Sequence, residues 1–311
     1  MFPNLFITYV INKFLISFSY CGIKWLEGNM FDNKYDFAND IKLLREMENM
    51  TQEALAKELG ICFATINRWE NGECDMCGDS IEKVYSYIYS NGISLNTIKE
   101  QLYAEEKSRD EVLLFHGSKS GIEGDVSVNV SRANNDFGQG FYCGEAYRQA
   151  ALFVSSYQDP SIYMMYFDPK GLKKAEYGVN TEWLLTIASY RGKIPEDRSM
   201  SLIAKAEDAD YIIAPIADNR MFVIIDSFIN GEITDEQCIH CLAATHLGMQ
   251  YIMKTDEAIS RVKMLERIYI CNKEKAKYQS DRAKDLKNSD DKVRAVRIKY
   301  RGKGKYIDEV I

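Results

Sequence analysis

The sequence predicts two units of different class, an all-α unit followed by an α+β unit. Three observations predict it. From Asp36 to about Glu106, apolar residues recur at helical spacing with frequent stops. Glu105–Asp110 is charged and reads as a linker. Beyond it, short apolar runs of strand length mix with helical patterns in no regular alternation, which suits α+β rather than a doubly wound sheet. A chain of 311 residues is long enough for two ordinary domains of about 100–200 residues each.

The elements follow in order. Phe2–Phe18 is apolar but interrupted by Asn4, Asn12 and Lys13. No basic region precedes it, no clear small-residue cleavage site follows, and a membrane span needs ~20 predominantly apolar residues. Residues 1–29 therefore read first as a leader not translated natively, with Met30 as the start. An anchor or docking segment is the alternative.

In the first unit, 36–106, Ile41, Leu44 and Met47 share one helical face. Thr51 caps Gln52–Leu59, and Gly60 ends it by taking left-handed backbone angles cheaply. Ala64–Glu70 follows, closed by Asn71-Gly72. Asp79 opens Ser80–Tyr89, and Ser94 opens Leu95–Tyr103.

The second unit spans 110–270. Its predicted strands are Val112–Phe115, Ile162–Phe167, Tyr211–Pro215, Met221–Ile225 and, last, Gln250–Met253. Its predicted helices are Tyr147–Tyr157, Glu182–Tyr190 and Asp235–Thr245. Residues 271–311 carry many cations, among them Arg282, Arg294, Arg297 and Arg301. They read as a basic tail, solvated or partly helical, with an electrostatic grip on nucleic acid as the sharper alternative.

Composition bounds the function. A net charge of −7 argues against a protein that coats nucleic acid by bulk electrostatics, but leaves room for a module that reads DNA locally. Eight irregularly spaced cysteines suit free thiols in a reducing cytoplasm, the expected localisation, with no membrane partner. Cys74-x-x-Cys77 and Cys238-x-x-Cys241, with His240 and His246, invite a zinc reading. The pairs fall in separate predicted units, so no metal is expected.

A helix, tight connection and second helix can lay the second helix in a major groove. Met50-Thr51-Gln52, Leu55-Ala56, Leu59-Gly60-Ile61 and Thr65-Ile66-Asn67-Arg68-Trp69-Glu70-Asn71-Gly72 resemble the phage-repressor-like helix-turn-helix family. The resemblance implies that Gln52, Ala64, Thr65, Asn67 and Arg68 face DNA, and it implies a homodimer. The residue types agree, since amides pair with adenine edges and arginine with guanine or phosphate.

Three segments carry a second resemblance: Leu113-Leu114-Phe115-His116-Gly117-Ser118, Phe137-Gly138-Gln139-Gly140-Phe141-Tyr142, and Gln250-Tyr251-Ile252-Met253. In this order they resemble the ADP-ribosyltransferase superfamily of the poly(ADP-ribose) polymerase and diphtheria-toxin type, nearest to bacterial members without assigned function. The resemblance covers about 110–270 and implies a split antiparallel sheet. It implies NAD as substrate and His116, Tyr142 and Gln250 as catalytic residues. It implies NAD contacts from His116, Gly117, Ser118, Gly138, Gly140, Tyr142 and Phe153. Glycine at 138 and 140 would let the backbone pass close to the ligand.

Two positions depart from the superfamily pattern. Gln250 stands where many members have glutamate, so it brings no charge to the developing ribose cation and cannot act as a base. Ala150 stands where a serine often holds the nicotinamide amide. Glu232 and Glu236 are carboxylates near enough in sequence to compensate.

The resulting expectation is an NAD-dependent mono-ADP-ribosyltransferase with a DNA-binding module. It would act on a macromolecular acceptor as a toxin or defence effector, with an antitoxin partner in that context. The alternative is a transcriptional regulator that senses NAD or ADP-ribose without turnover.

Overall fold

The computed structural model describes residues 35–216, 219–243 and 248–311. The expectations for residues 1–29, for His246 and for a helix end at Thr245 lie outside the described residues.

The N-terminal unit is helical. It comprises α1 (Phe37–Met47), α2 (Gln52–Leu59), α3 (Phe63–Glu70), α4 (Gly78–Ser90) and α5 (Leu95–Glu106). The Thr51 hydroxyl accepts from the Ala54 N–H at 3.1 Å, and Gly60 ends α2 at φ 59°. Leu44, Leu55 and Ile66 meet in a core with no residual exposure. Arg45 holds α1 to α3 through two bonds to the Glu70 carboxylate, at 2.5 and 2.9 Å. Gln52 of α2 donates to the same carboxylate at 2.8 Å, so one buried acid fixes the angle between three helices. α5 runs to Glu106, which leaves the predicted linker only its last residues.

The second unit is a mixed α/β domain on one seven-stranded sheet. Its strands are β1 (Val112–Ser118), β2 (Phe141–Gly144), β3 (Ser161–Phe167), β4 (Lys174–Glu176), β5 (Tyr211–Pro215), β6 (Met249–Met253) and β7 (Val262–Ile268). Their order is β4-β5-β6-β2-β1-β3-β7, and every pairing is antiparallel except β4 with β5. The helices are α6 (Tyr147–Val154), α7 (Thr181–Tyr190), α8 (Glu196–Glu207), α9 (Asn219–Ile229), α10 (Asp235–Ala243), α11 (Asp256–Ser260), α12 (Asn272–Lys299) and α13 (Ile307–Val310).

Three expectations are corrected. Met221–Ile225 is not a strand but part of α9, because helical spacing buries Ile224, Ile225, Phe228 and Ile229 against the Trp183 core. Packing of that stripe overrides the strand preference of the β-branched run. Gln250–Met253 is not the last strand. β7 follows at the sheet edge, its pattern obscured by Lys263, Glu266 and Arg267.

The third correction concerns 271–311, which is no tail. α12 runs for 28 residues and packs along α4, α6 and α10. Cys271 at its start joins the core of the N-terminal unit, Tyr278 joins the core under α6, and Val293 and Val296 pack on the Trp183 core. These widely spaced anchors sit in a charged background that hides the pattern.

The two units are locked together by buried polar groups. Lys99 of α5 pairs with Asp40 of α1 at 2.5 Å and with Glu266 of β7 at 2.7 Å. Tyr85 donates to the other oxygen of Asp40. Beside this, Asn96 donates to the Tyr147 hydroxyl at 2.9 Å, and Tyr147 donates to Glu274 of α12 at 2.9 Å. Among the described residues no helix is long and apolar enough to cross a membrane.

Candidate functional site

The sheet is weakest at its middle. β1 pairs with β3 through seven positions, and β2 pairs with β6 through four, but β1 and β2 share only Phe115 opposite Gly144. Past that pair the ladder stops, and the His116 side chain takes over: its Nδ1 lies 2.7 Å from the Tyr142 carbonyl oxygen. A carbonyl only accepts, so Nδ1 carries the proton and Nε2 is left as an acceptor. Burial pushes the imidazole pKa down, against the opposing effect of this bond, so the ring stays neutral. Phe141 stacks on it with centroids 4.5 Å apart.

A cleft of about 2220 Å³ opens at this seam, larger than the roughly 300–1,000 Å³ of a small-ligand pocket. His116, Gly117, Ser118, Gly140, Tyr142, Phe153 and Gln250 all line it, as does Ala150; Gly138 does not. Residues from three distant segments thus converge on one surface. Phe153 is 53% exposed on α6, which leaves a ring face free to stack.

Several of these residues have protein partners that the sequence did not disclose. The Tyr142 hydroxyl donates to the Gly138 carbonyl at 2.7 Å and accepts from the Phe137 N–H at 3.2 Å, closing the glycine turn on itself. Burial raises its pKa, so the hydroxyl stays protonated. Ser118 closes a turn with Gly121 through its hydroxyl.

The glycines answer to protein packing. A Cβ on Gly138, at φ +70°, would lie 2.9 Å from Tyr190; one on Gly140 would lie 2.7 Å from Ile252; one on Gly117 would lie 2.8 Å from Val154 of α6. Gly138 and Gly140 thus lie in close contact with α7 and β6, and Gly140 also lines the cleft.

The sequence reading missed Asp136 and Arg191. Asp136 is 8% exposed and sits in the cleft wall directly before the glycine turn. Its Oδ1 accepts from Arg191 Nη2 at 2.8 Å, and Arg191 also reaches Asp226 at 3.1 Å. Burial raises the Asp136 pKa, while Arg191 and a hydrogen bond from Gln250 pull it down. The only trace in the sequence is a carboxylate next to the Phe137-Gly138 pair; Arg191 comes from the end of α7, far along the chain. Glu232 lines the cleft and Glu236 does not. α12 supplies Arg282, Arg294 and Arg297 to the same wall, joined by Arg301.

Cys238 and Cys241 point into the core, each 3.8 Å from a backbone carbonyl oxygen, of Ile224 and Val293 respectively. His240 stacks on Tyr300. Cys74 and Cys77 lie in the N-terminal unit, the latter exposed.

In that unit Ala64 and Arg68 are exposed on α3, while Gln52, Thr65 and Asn67 are half-buried. Asn67 donates to Gln52 Oε1 at 3.2 Å. Gln52 therefore braces the two helices as well as lying on their outer face. Phe63, 43% exposed, presents an apolar ring beside Ala64 at the start of α3.

Comparison with known proteins agrees with this division. Residues 41–73 match the helix-turn-helix family, so the N-terminal unit is a helix-turn-helix module of the kind that binds DNA. Residues 112–264 match a family described as "Protein of unknown function (DUF3990)". That match spans β1 to β7 and contains the cleft residues of the sheet. No curated protein and no solved structure matches.

Proposed function

We propose that this chain is an NAD-dependent mono-ADP-ribosyltransferase that carries its own DNA-binding module. The observation that supports this best is the seam of the sheet. There the neutral ring of His116, the Tyr142 ring and the Gln250 amide face one cleft beside the exposed ring of Phe153.

In the proposed reaction the bond between C1′ of the nicotinamide ribose and the nicotinamide nitrogen breaks. Its electron pair neutralises the pyridinium. A nucleophile of the acceptor supplies the new pair to C1′ and gives up a proton. Catalysis of such a step rests on gripping both ends of NAD and setting polar groups around the ribose cation. His116 Nε2 would accept from the adenosine ribose, Gly117 and Ser118 would meet the nicotinamide amide, and Tyr142 with Phe153 would sandwich the ring. Gln250 would accept from a hydroxyl of the reacting ribose. We take the acceptor to be macromolecular; a cleft of about 2220 Å³ leaves room beside a small ligand, and a toxin or defence role suits the pairing with a DNA-binding module.

The test is nicotinamide release from NAD by the purified chain, beside His116→Ala and Tyr142→Ala. Release abolished by both substitutions supports the transferase. NAD binding without release would sink it and favour the second reading, a regulator that senses NAD. That reading draws on Gln250 in place of a carboxylate, and on the buried polar lock between the cleft domain and the helix-turn-helix unit. It predicts that NAD changes affinity for DNA.

A further inference from the structure

The chain's positive charge is concentrated in one stretch. Residues 273–305 hold thirteen Lys and Arg against five Asp and Glu, a net of +8 in a chain whose total is −7. Folding turns part of that charge into the cleft, where Arg282, Arg294, Arg297 and Arg301 line one wall. Arg294 and Arg301 are exposed, and neither side chain has a partner among the described residues. Arg282 and Arg297 donate to neutral hydroxyls, of Ser156 at 3.3 Å and Ser227 at 3.0 Å. The acids of this wall do not cancel the charge. Asp285 faces Arg148 at 3.7 Å, which leaves Asp290 and Glu232 against four arginines.

The same wall holds apolar surface in water. Val223, Ile298 and Tyr306 line it at 64%, 71% and 42% exposure. Ile298 stands four residues after Arg294 on the same face of α12, and Arg301 follows in the turn beyond the helix. Unpaired guanidinium groups beside an exposed ring suit a ligand with a phosphate backbone and flat bases. Phosphates take the guanidinium fork, and bases stack on the aromatic face. A duplex suits the wall less well, because its bases are stacked inside and out of reach of a ribose held in the cleft.

Resting on the transferase reading, we propose that this wall is the acceptor site and that the acceptor is a single strand of nucleic acid. Its phosphates lie along Arg294 and Arg301, one base stacks on Tyr306, and another enters the cleft. In the transfer, a base nitrogen bearing hydrogen gives its lone pair to C1′ of the ribose. The bond from C1′ to nicotinamide breaks with its pair going to the nicotinamide nitrogen, and the base nitrogen releases one proton to water. The wall is thus a second nucleic-acid surface, separate from the helix-turn-helix.

The test uses the full chain in an Arg68→Ala background, which weakens the helix-turn-helix contact. Labelled single strands of DNA and of RNA, about 12 nucleotides long, are titrated by fluorescence anisotropy between about 50 and 200 mM salt. Arg294→Ala/Arg301→Ala is expected to weaken binding about 10-fold. It should also cut the slope of log affinity against log salt by about 1.4, at about 0.7 for each phosphate released. Tyr306→Ala should weaken binding by about 5- to 150-fold, and Tyr306→Phe should keep it. All three side chains are exposed, so each variant should melt with the wild type. With labelled NAD, ADP-ribose should appear on the strand; either strand upholds the proposal, and the better one names the acceptor.

Unchanged affinity and slope in the double variant overturn the proposal. So does displacement of the strand by NAD, which would assign the arginines to the pyrophosphate of NAD, or equal competition by poly-glutamate, which would point to an acidic polypeptide. Nicotinamide release with no strand bound or labelled overturns it as well, and leaves the transferase reading standing. A strand bound through these residues without any nicotinamide release refutes the transferase reading and upholds the wall as a nucleic-acid surface.

Discussion

Replacing Lys99 by methionine tests whether the two units form one cooperative structure. Lys99 is 6% exposed and is the cation between Asp40, at 2.5 Å, and Glu266, at 2.7 Å, both of them buried. Methionine fills a similar volume, so little packing is lost, but two carboxylates are left without a counter-charge. Breaking a buried pair by removing one partner costs about 3–5 kcal/mol. The cost depends on pH. Burial already raises Glu266 to about 7 against the pull of Lys99, and loss of the ammonium raises it further. An acid whose folded pKa is raised keeps its stability at low pH and loses it as pH rises through that value. The deficit of K99M should therefore be small near pH 5 and reach its full size above pH 8. Urea unfolding of both proteins at the two pH values measures it. K99M within about 1 kcal/mol of wild type at pH 8.5, the range of an exposed pair, would refute the argument. So would a deficit equal at both pH values.

Four further outcomes are expected. Gly138→Ala places a side chain at φ +70° and 2.9 Å from Tyr190, so it should destabilise by about 1–3 kcal/mol and lower the melting temperature. Leu55→Ala empties a fully buried position between α2 and its neighbours, at a cost of about 2–5 kcal/mol read by urea unfolding. Arg68→Ala leaves folding intact because the side chain is exposed. On a duplex selected for binding it should weaken affinity by about 1–3 kcal/mol, and if the contact is a phosphate it should reduce the salt slope by about one. Glu274, raised to about 7 by burial, loses stability as pH climbs from its ordinary value through 7. Glu274→Gln should flatten the fall in melting temperature between pH 5 and pH 8.

Much of the helix-turn-helix module was legible because its signals are local. Thr51, Gly60 and the Asn71-Gly72 stop act on their own turns, and the stripe of Leu55, Leu59 and Ile66 carries a clear helical period. α9 was misread for the opposite reason. Met221–Ile225 is apolar at every position, and an unbroken apolar run does not state its period until it has a surface to pack against. β7 and α12 were hidden by charge, because the groups that neutralise or anchor them, Lys99 for Glu266 and Tyr147 for Glu274, lie over a hundred residues away.

For the cleft, the order of residues along the chain supplies the side-chain types that could serve it: His116 at a strand end, Tyr142 after a glycine turn, and Gln250 near the start of a strand. Packing in three dimensions then sets the neighbours of each. The single register pair between β1 and β2 leaves a gap that the His116 ring bridges, and that bond sets its tautomer. The glycines yield to Tyr190, Ile252 and Val154. Asp136 and Arg191 enter the site through folding alone, joined by a 2.8 Å bond between residues 55 positions apart, and Gln250 Nε2 is held by the Pro215 carbonyl of β5. Hydrogen-bond direction and burial are properties of neighbours in space, which is why a linear reading names the side chains but not their orientation.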